Sequence, residues 1–188
     1  YAAMNAGKST ILLQAAYNYR ERGMDVLLLT SDLYKDDDAG HISSRIGISA
    51  DATLYTNETD LFSLVKNRQA EHRIDAIFVD EAQFLTKDQA WQLARVADRL
   101  DVPVLAYGLR TDFRGELFEG SAALLAIADS LREVRTICEC GRKATMVARL
   151  GPDGKALTEG DQVSIGKSVY VSLCRRHWEE RMGRQPPA

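Results

Sequence analysis

The stretch Tyr1-Ala2-Ala3-Met4-Asn5-Ala6-Gly7-Lys8-Ser9-Thr10 ends in Gly-Lys-Ser-Thr and runs straight into helix-patterned residues, a combination able to hold phosphate. Gly7 lets the backbone approach an oxyanion, successive N–H groups point at its oxygens, and a helix starting at Lys8 adds its positive dipole end. In such a loop the lysine reaches the β- and γ-phosphates of a nucleotide and the Ser9 hydroxyl completes a Mg²⁺ shell. Ala2 stands where the general pattern has its first Gly, a replacement that a negative φ tolerates. A second chemical group is Asp80-Glu81, which closes the apolar run from Ile74 to Val79. At the carboxyl end of a parallel strand these acids would face the phosphate loop, with Asp80 as the Mg²⁺ carboxylate and Glu81 nearer the reacting phosphate. The plainer alternative is a pair of acids that only caps a helix. The third group is Cys138-Glu139-Cys140 with Cys174-Arg175-Arg176-His177. Four soft donors in two close pairs match a closed tetrahedral zinc site, in which the metal is structural. The first pair is Cys-x-Cys, where Cys-x-x-Cys is commoner, and all three cysteines of the chain are used.

The elements that must position these groups read as an α/β domain. Ile11, Leu12, Ala15, Ala16 and Tyr19 predict a helix from Ser9 to Arg22, stopped by Gly23. The unbroken Val26-Leu27-Leu28-Leu29 run predicts a strand buried on both faces, as in a parallel sheet covered by helices. Leu54-Tyr55, the run from Ile74 and the stretch from Asp101 to Tyr107 read as further strands. Helices are expected over 59–73, from Trp91 to Leu100 behind a Thr86/Gln89 capping box, and over 121–128. Ser31 to Ala50 shows no clear period and is expected to be a long functional or disordered loop. Its Ser43-Ser44-Arg45-Ile46-Gly47 piece suits a phosphate, a sugar or plain solvent equally well. Arg110, Arg114, Phe113 and Phe118 follow a strand end and suit either a nucleotide or mere surface and core. Beyond Val134 the helical pattern fades into turns and short β-rich runs, which places a phosphate-loop nucleotide-binding domain at 1–133 and a small zinc-binding domain at 134–188. With Tyr1 just ahead of the phosphate loop, the strand that should lead into it is expected to be missing from this sequence.

With 188 residues, 45% hydrophobic and 27% charged, the composition is that of a soluble folded protein. No run approaches a membrane span, and a net charge of −3 argues against a non-specific grip on nucleic acid. Three cysteines without a disulfide pattern point to a reducing compartment, the cytoplasm. Two rival functions fit part of the sequence. An ATP-driven motor or switch would use Glu81 to activate water. A zinc-ribbon nucleic-acid module would use the arginines beyond Arg132, but these alternate with acids and lack stacking aromatics.

The phosphate loop, Phe78-Val79-Asp80-Glu81-Ala82-Gln83-Phe84-Leu85, the stretch from Tyr107 to Phe118 and the cysteine/histidine quartet together resemble the bacterial branch of the cellular (type II) thymidine kinases. The resemblance covers nearly the whole chain. It implies a RecA-like P-loop sheet flanked by helices, with a small β-rich zinc domain whose lasso loop closes over thymidine. It implies transfer of the γ-phosphate of ATP to the thymidine 5′-hydroxyl, a homotetramer, and inhibition by dTTP. By the same resemblance Glu81 is the general base. Residues Ala2, Ala3, Met4, Asn5, Ala6, Gly7, Lys8, Ser9 and Thr10, with Asp80, Glu81, Ala82 and Gln83, surround ATP; Ser9 and Asp80 serve Mg²⁺. Met4, Phe84, Leu109, Phe113 and Phe118 lie around the base, with Ile165, Gly166 and Tyr170 in the lasso. That lasso is one residue shorter than the usual pattern, with Lys167 where a second Gly is common.

Overall fold

A computed structural model describes residues 1–33, 40–163 and 169–184. In chain order the elements are helix α1 (Lys8–Arg20), strands β1 (Val26–Ser31), β2 (His41–Ser43), β3 (Ser49–Asp51) and β4 (Thr53–Tyr55), helix α2 (Leu61–Glu71), strand β5 (Ala76–Val79), a single 3₁₀ turn (Ala82–Phe84), helix α3 (Lys87–Leu100), strand β6 (Val104–Ala106) and helix α4 (Glu119–Ile127). The remainder is β-rich, with β7 (Thr136–Ile137), β8 (Lys143–Ala144), β9 (Met146–Leu150), β10 (Val169–Leu173) and a short helix α5 (Arg175–Arg181). Contacts divide the chain into two compact units. One comprises 7–108 and 119–131; the other comprises 1–6, 109–118 and 132–188.

The larger unit is built on a parallel sheet in the order β4-β1-β5-β6. Alternation along a strand sends neighbouring side chains to opposite faces, and here both faces are apolar. Leu27, Leu29, Ile77 and Val79 join Leu61 and Val65 of α2 and Leu93 and Val96 of α3 in one cluster. Leu28, Ala76 and Phe78 join Leu12, Leu13 and Ala16 of α1 in the other. Tyr19 meets Phe78 edge-on, with ring centroids 5.5 Å apart. The expected strand over the run from Ile74 is thus a central one, all four residues of β5 being buried.

Helix α3 carries the expected capping box: Gln89 N–H donates to Thr86 Oγ1 at 3.1 Å and Thr86 N–H donates to Gln89 Oε1 at 3.1 Å. The Gln89 amide then donates to the carbonyls of Thr56 at 2.7 Å and Thr59 at 3.0 Å, fastening α3 to the turn before α2. One expectation is corrected. The stretch Ser31 to Ala50 contains an antiparallel hairpin, β2 to β3, pairing His41 with Asp51, Ile42 with Ala50 and Ser43 with Ser49. Ile42 alone of the β2 residues is buried, against the α1 side of the sheet.

In the smaller unit β9 and β10 pair antiparallel, and β7 pairs with β8. Its core joins Ala148 and Leu173 to Cys138, Cys174, Trp178 and Met182. The Trp178 indole N–H is shared between the carbonyls of Phe113 and Val147, each 3.0 Å away. Ala2 forms a parallel bridge with Leu109, and Arg110 N–H donates to the Ala2 carbonyl at 3.3 Å, so residues at the start of the phosphate loop do sit in a strand-like pairing. Among the described residues no helix is long and apolar enough to cross a membrane.

Candidate active site and metal centre

Gly7 is the N-cap of α1 with φ 82° and ψ 25°, a left-handed conformation in which an L side chain is strained. The helix therefore starts at Lys8, which is buried, and Ser9 lies one position further into its first turn. Across the unit, β5 delivers Asp80 at its carboxyl end, where the backbone is still tied into the sheet by Asp80 N–H donating to Leu29 O at 2.9 Å. Ser9 Oγ donates to Asp80 Oδ2 at 2.8 Å, and Glu81 N–H donates to the other carboxylate oxygen at 3.0 Å. The loop hydroxyl and the strand-end acid, 71 positions apart in sequence, are thus brought together.

Burial and the neighbouring Glu81 charge push the Asp80 carboxyl up to about 6, against the opposing pull of Ser9, the Glu81 N–H and Lys8. A carboxylate held at that cost gains from a cation beside it. Tyr55, buried at the end of β4, has its phenol pushed up by burial and by Glu81, Asp80 and Asp32, so it stays neutral beside the acids.

Glu81 has φ 50° and ψ 37°, an uncommon left-handed backbone for a non-glycine residue. That conformation turns the chain out of β5 and into the 3₁₀ turn, where Ala82 N–H donates to Tyr107 O at 2.9 Å. The buried Gln83 amide donates to Glu81 Oε2. Two glycines give this turn its room. A Cβ at Gly108 would lie 2.8 Å from Gln83 N, and one at Gly120 would lie 2.6 Å from Leu85 O. Gln83 was expected near ATP; its contact with Glu81 is an additional finding that only the i, i+2 spacing hints at.

The other expected nucleotide and base residues divide between the units. Ala2 and Ala3 are buried, the Met4 carbonyl accepts from Ser172 Oγ at 2.5 Å, and Asn5 has φ 61°; these and Ala6 belong to the smaller unit. Thr10 and Ala82 belong to the larger unit, as does the half-buried Phe84. Leu109, Phe113, Phe118 and Tyr170 belong to the smaller unit, Tyr170 on β10 opposite Arg149. Phe113 and Phe118 are buried, and the Arg149 guanidinium stacks on the Phe113 ring, 4.0 Å from its centroid. Ile165 and Gly166 lie outside the described residues.

Within the stretch from Gly108 to Phe118, an internal ion pair holds Arg114. Buried Asp112 accepts from Arg114 N–H and Glu116 N–H, both at 2.9 Å, and pairs with the Arg114 guanidinium at 3.0 Å. This carboxylate folds the loop, and Arg114 is its counter-ion. Arg149, missed in sequence as a core residue, is likewise buried and donates to Asp161 O at 2.9 Å.

The Cys138, Cys140, Cys174 and His177 donor atoms all lie within 4.8 Å of one another. Gly141, at φ 78°, turns the β7–β8 hairpin so that Cys138 and Cys140 point together, while Cys174 is the N-cap of α5 and His177 lies within that helix. Cys140 Sγ and Cys174 Sγ are 3.8 Å apart, and Cys138 Sγ and His177 Nδ1 are 3.3 Å apart. Two sulfurs on a tetrahedral zinc, each about 2.3 Å from the metal, are separated by about 3.8 Å, so the quartet fits that ion. Burial opposes ionisation of Cys138, but N–H groups of Cys140 and Cys174 and the side chains of His177 and Cys140 outweigh it and bring the thiol down to about 6. A thiolate is the form that binds metal.

Comparisons with known proteins agree with this geometry. The thymidine kinase family model matches residues 1–178. A thymidine kinase of Mesorhizobium japonicum is 63% identical over 187 residues, covering 100% of this chain and 92% of its own. A thymidine kinase of Ruegeria pomeroyi is 59% identical over 184 residues, covering 97% and 93%. One from Enterobacteria phage T4 is 54% identical over 180 residues, covering 96% and 93%. With its phosphate-loop serine bonded to the strand-end acid and its four metal donors gathered, the chain belongs to the thymidine kinase family.

Proposed function

We propose that the protein is an ATP-dependent thymidine kinase, moving the γ-phosphate of ATP to the 5′-hydroxyl of thymidine, and of deoxyuridine, in deoxynucleoside salvage. The observation that carries this reading furthest is the 2.8 Å hydrogen bond from Ser9 Oγ to Asp80 Oδ2, which joins the phosphate-loop helix to the acid beside Glu81. The backbone from Ala2 to Gly7 and the first turn of α1 cradle the phosphates, and Lys8 neutralises charge on their β and γ oxygens. Ser9 and Asp80 would hold Mg²⁺, which would supply positive charge against the phosphates. Glu81 takes the proton of the sugar hydroxyl as the phosphoryl group moves, and the Gln83 amide holds its carboxylate in one orientation. A motor or switch reading would leave Glu81 acting on water; family membership favours the sugar hydroxyl.

Zn²⁺ on Cys138, Cys140, Cys174 and His177 would have no open coordination position, so its part is to cross-link the β7–β8 hairpin to α5. Segment 134–188 is then the zinc and lasso domain, and 1–133 the kinase segment. Met4, Phe84, Leu109, Phe113, Phe118, Ile165, Gly166 and Tyr170 supply the surface for thymine. In keeping with the family, the working form is a cytoplasmic homotetramer inhibited by dTTP.

Phosphorylation of thymidine, deoxyuridine, deoxycytidine and water by the purified protein tests this. A lasso that reads the base with backbone groups mismatches the 4-amino group of deoxycytidine, a loss of roughly 1–3 kcal/mol per unsatisfied group. Thymidine and deoxyuridine should turn over well above the water rate, with deoxycytidine on the order of 10- to 100-fold poorer. Equal use of deoxycytidine, or ATP hydrolysis indifferent to thymidine, would remove the assignment.

A further inference from the structure

Beside the metal quartet, within the smaller unit, lies a cavity of about 500 Å³ lined by Arg110, Arg142, Lys143, Arg175, Arg176 and Glu179, with Thr145 and Cys174. Of the metal donors it touches Cys174 alone, so it is a neighbour of that centre and not the centre itself. Five cations face one carboxylate here, in a chain whose net charge is −3. The metal quartet explains how they meet. Arg142, in the β7–β8 turn, and Lys143, at the start of β8, follow Cys140, Arg175 and Arg176 follow Cys174 into α5, and the two sulfurs lie 3.8 Å apart. Three of the cations are already committed. The Arg110 guanidinium donates to Thr145 O at 3.1 Å, Lys143 pairs with Glu133, and Arg176 Nε pairs with Glu180 at 3.0 Å. Arg142 and Arg175 are exposed and have no carboxylate partner among the described residues.

Like charges gathered in a concave site repel one another and raise the local concentration of anions. Guanidinium groups in particular match phosphate oxygens in a bidentate way. We propose that this cavity binds an oligophosphate, the phosphate chain of a small molecule, separately from the phosphate loop. Its volume is that of a small-molecule site. No aromatic side chain among the described residues lines it, so it lacks the stacking platform of a single-stranded nucleic-acid site, and the chain's negative charge disfavours a long polyanion.

Calorimetric titration of the zinc-loaded protein with inorganic triphosphate, without added Mg²⁺ and with zinc content checked afterwards, tests the proposal. Wild type should show two binding events, K8A should keep one, and K8A/R142A/R175A should lose at least tenfold in the affinity of the one that remains. R142A/R175A alone should retain the phosphate-loop event and thymidine phosphorylation, and K8A/R142K/R175K should recover part of the lost binding. ATP binding to K8A with comparable affinity identifies a nucleotide as the source of the phosphates, whereas triphosphate binding without ATP binding identifies an inorganic chain. A K8A protein that binds no triphosphate, or one whose binding is untouched by R142A/R175A, overturns the site.

Discussion

Asp80 makes the pH behaviour of the larger unit measurable. Its carboxyl, ordinarily near 3.8, is pushed up to about 6 by burial and by Glu81. Between those two values the folded state holds a proton that the unfolded state has released, so stability falls as pH rises through that window and the loss is complete above about 6. An uncharged side chain escapes this. Without added Mg²⁺, the melting temperature of Asp80→Asn relative to wild type should therefore move in the variant's favour between pH 4 and pH 7, while its kinase activity collapses; a constant difference across that range would remove the buried charge as the cause. Glu81→Gln should keep ATP and thymidine affinity but lose on the order of 10²–10⁴-fold in kcat, read by steady-state kinetics beside equilibrium binding. The strand that leads to Asp80 and the helix that starts at Lys8 were legible in the sequence because an unbroken apolar run and Gly-Lys-Ser-Thr are local signals. Arg149 was not, because whether a guanidinium is solvated or buried is decided by groups elsewhere in the chain, here the Phe113 ring and the Asp161 carbonyl.

At the scale of elements, the 3₁₀ turn after β5 is held against α4 so closely that Gly120 admits no side chain. A Cβ there would meet Leu85 O at 2.6 Å and Ala82 O at 2.7 Å, backbone atoms that cannot rotate away. Gly120→Ala should cost about 1–3 kcal/mol by denaturant unfolding. It should also lower kcat more than it raises the ATP KM, because the displaced turn carries Gln83 and the orientation of Glu81. A stable variant with unchanged kcat would show that the turn tolerates the shift. Thr86→Ala, which removes a cap without touching that turn, should cost about 1 kcal/mol and leave kcat unchanged. The sheet strands and the capping box could be read in advance, since unbroken apolar runs and Thr-x-x-Gln are local signals. The β2–β3 hairpin could not: its strands are three residues each, and His41, Ser43, Ser49 and Asp51 are exposed, leaving Ile42 as the only buried anchor. Period 2 is invisible when a single residue carries it.

For the whole molecule, the zinc centre should govern the stability of the smaller unit, which otherwise has a short apolar core. Elemental analysis should give about one zinc per chain, resistant to mild chelation, and Cys174→Ser should lower the melting temperature and raise the thymidine KM more than the ATP KM. Metal-free protein with full activity and unchanged melting would contradict that role. The quartet was legible because Cys-x-Cys and Cys-x-x-His declare themselves over a few residues. The interleaving of the units was not, since composition marks only contiguous segments. Residues 1–6 belong with 132–188: Tyr1 O accepts from Val134 N–H at 2.9 Å, and Met4 O accepts from Ser172 Oγ. Synthesis runs in one direction, and Ser172 leaves the ribosome 168 residues after Met4. The Met4 carbonyl must therefore wait through the synthesis of those residues before its partner hydroxyl exists, and a pause ahead of β10 leaves it unpaired.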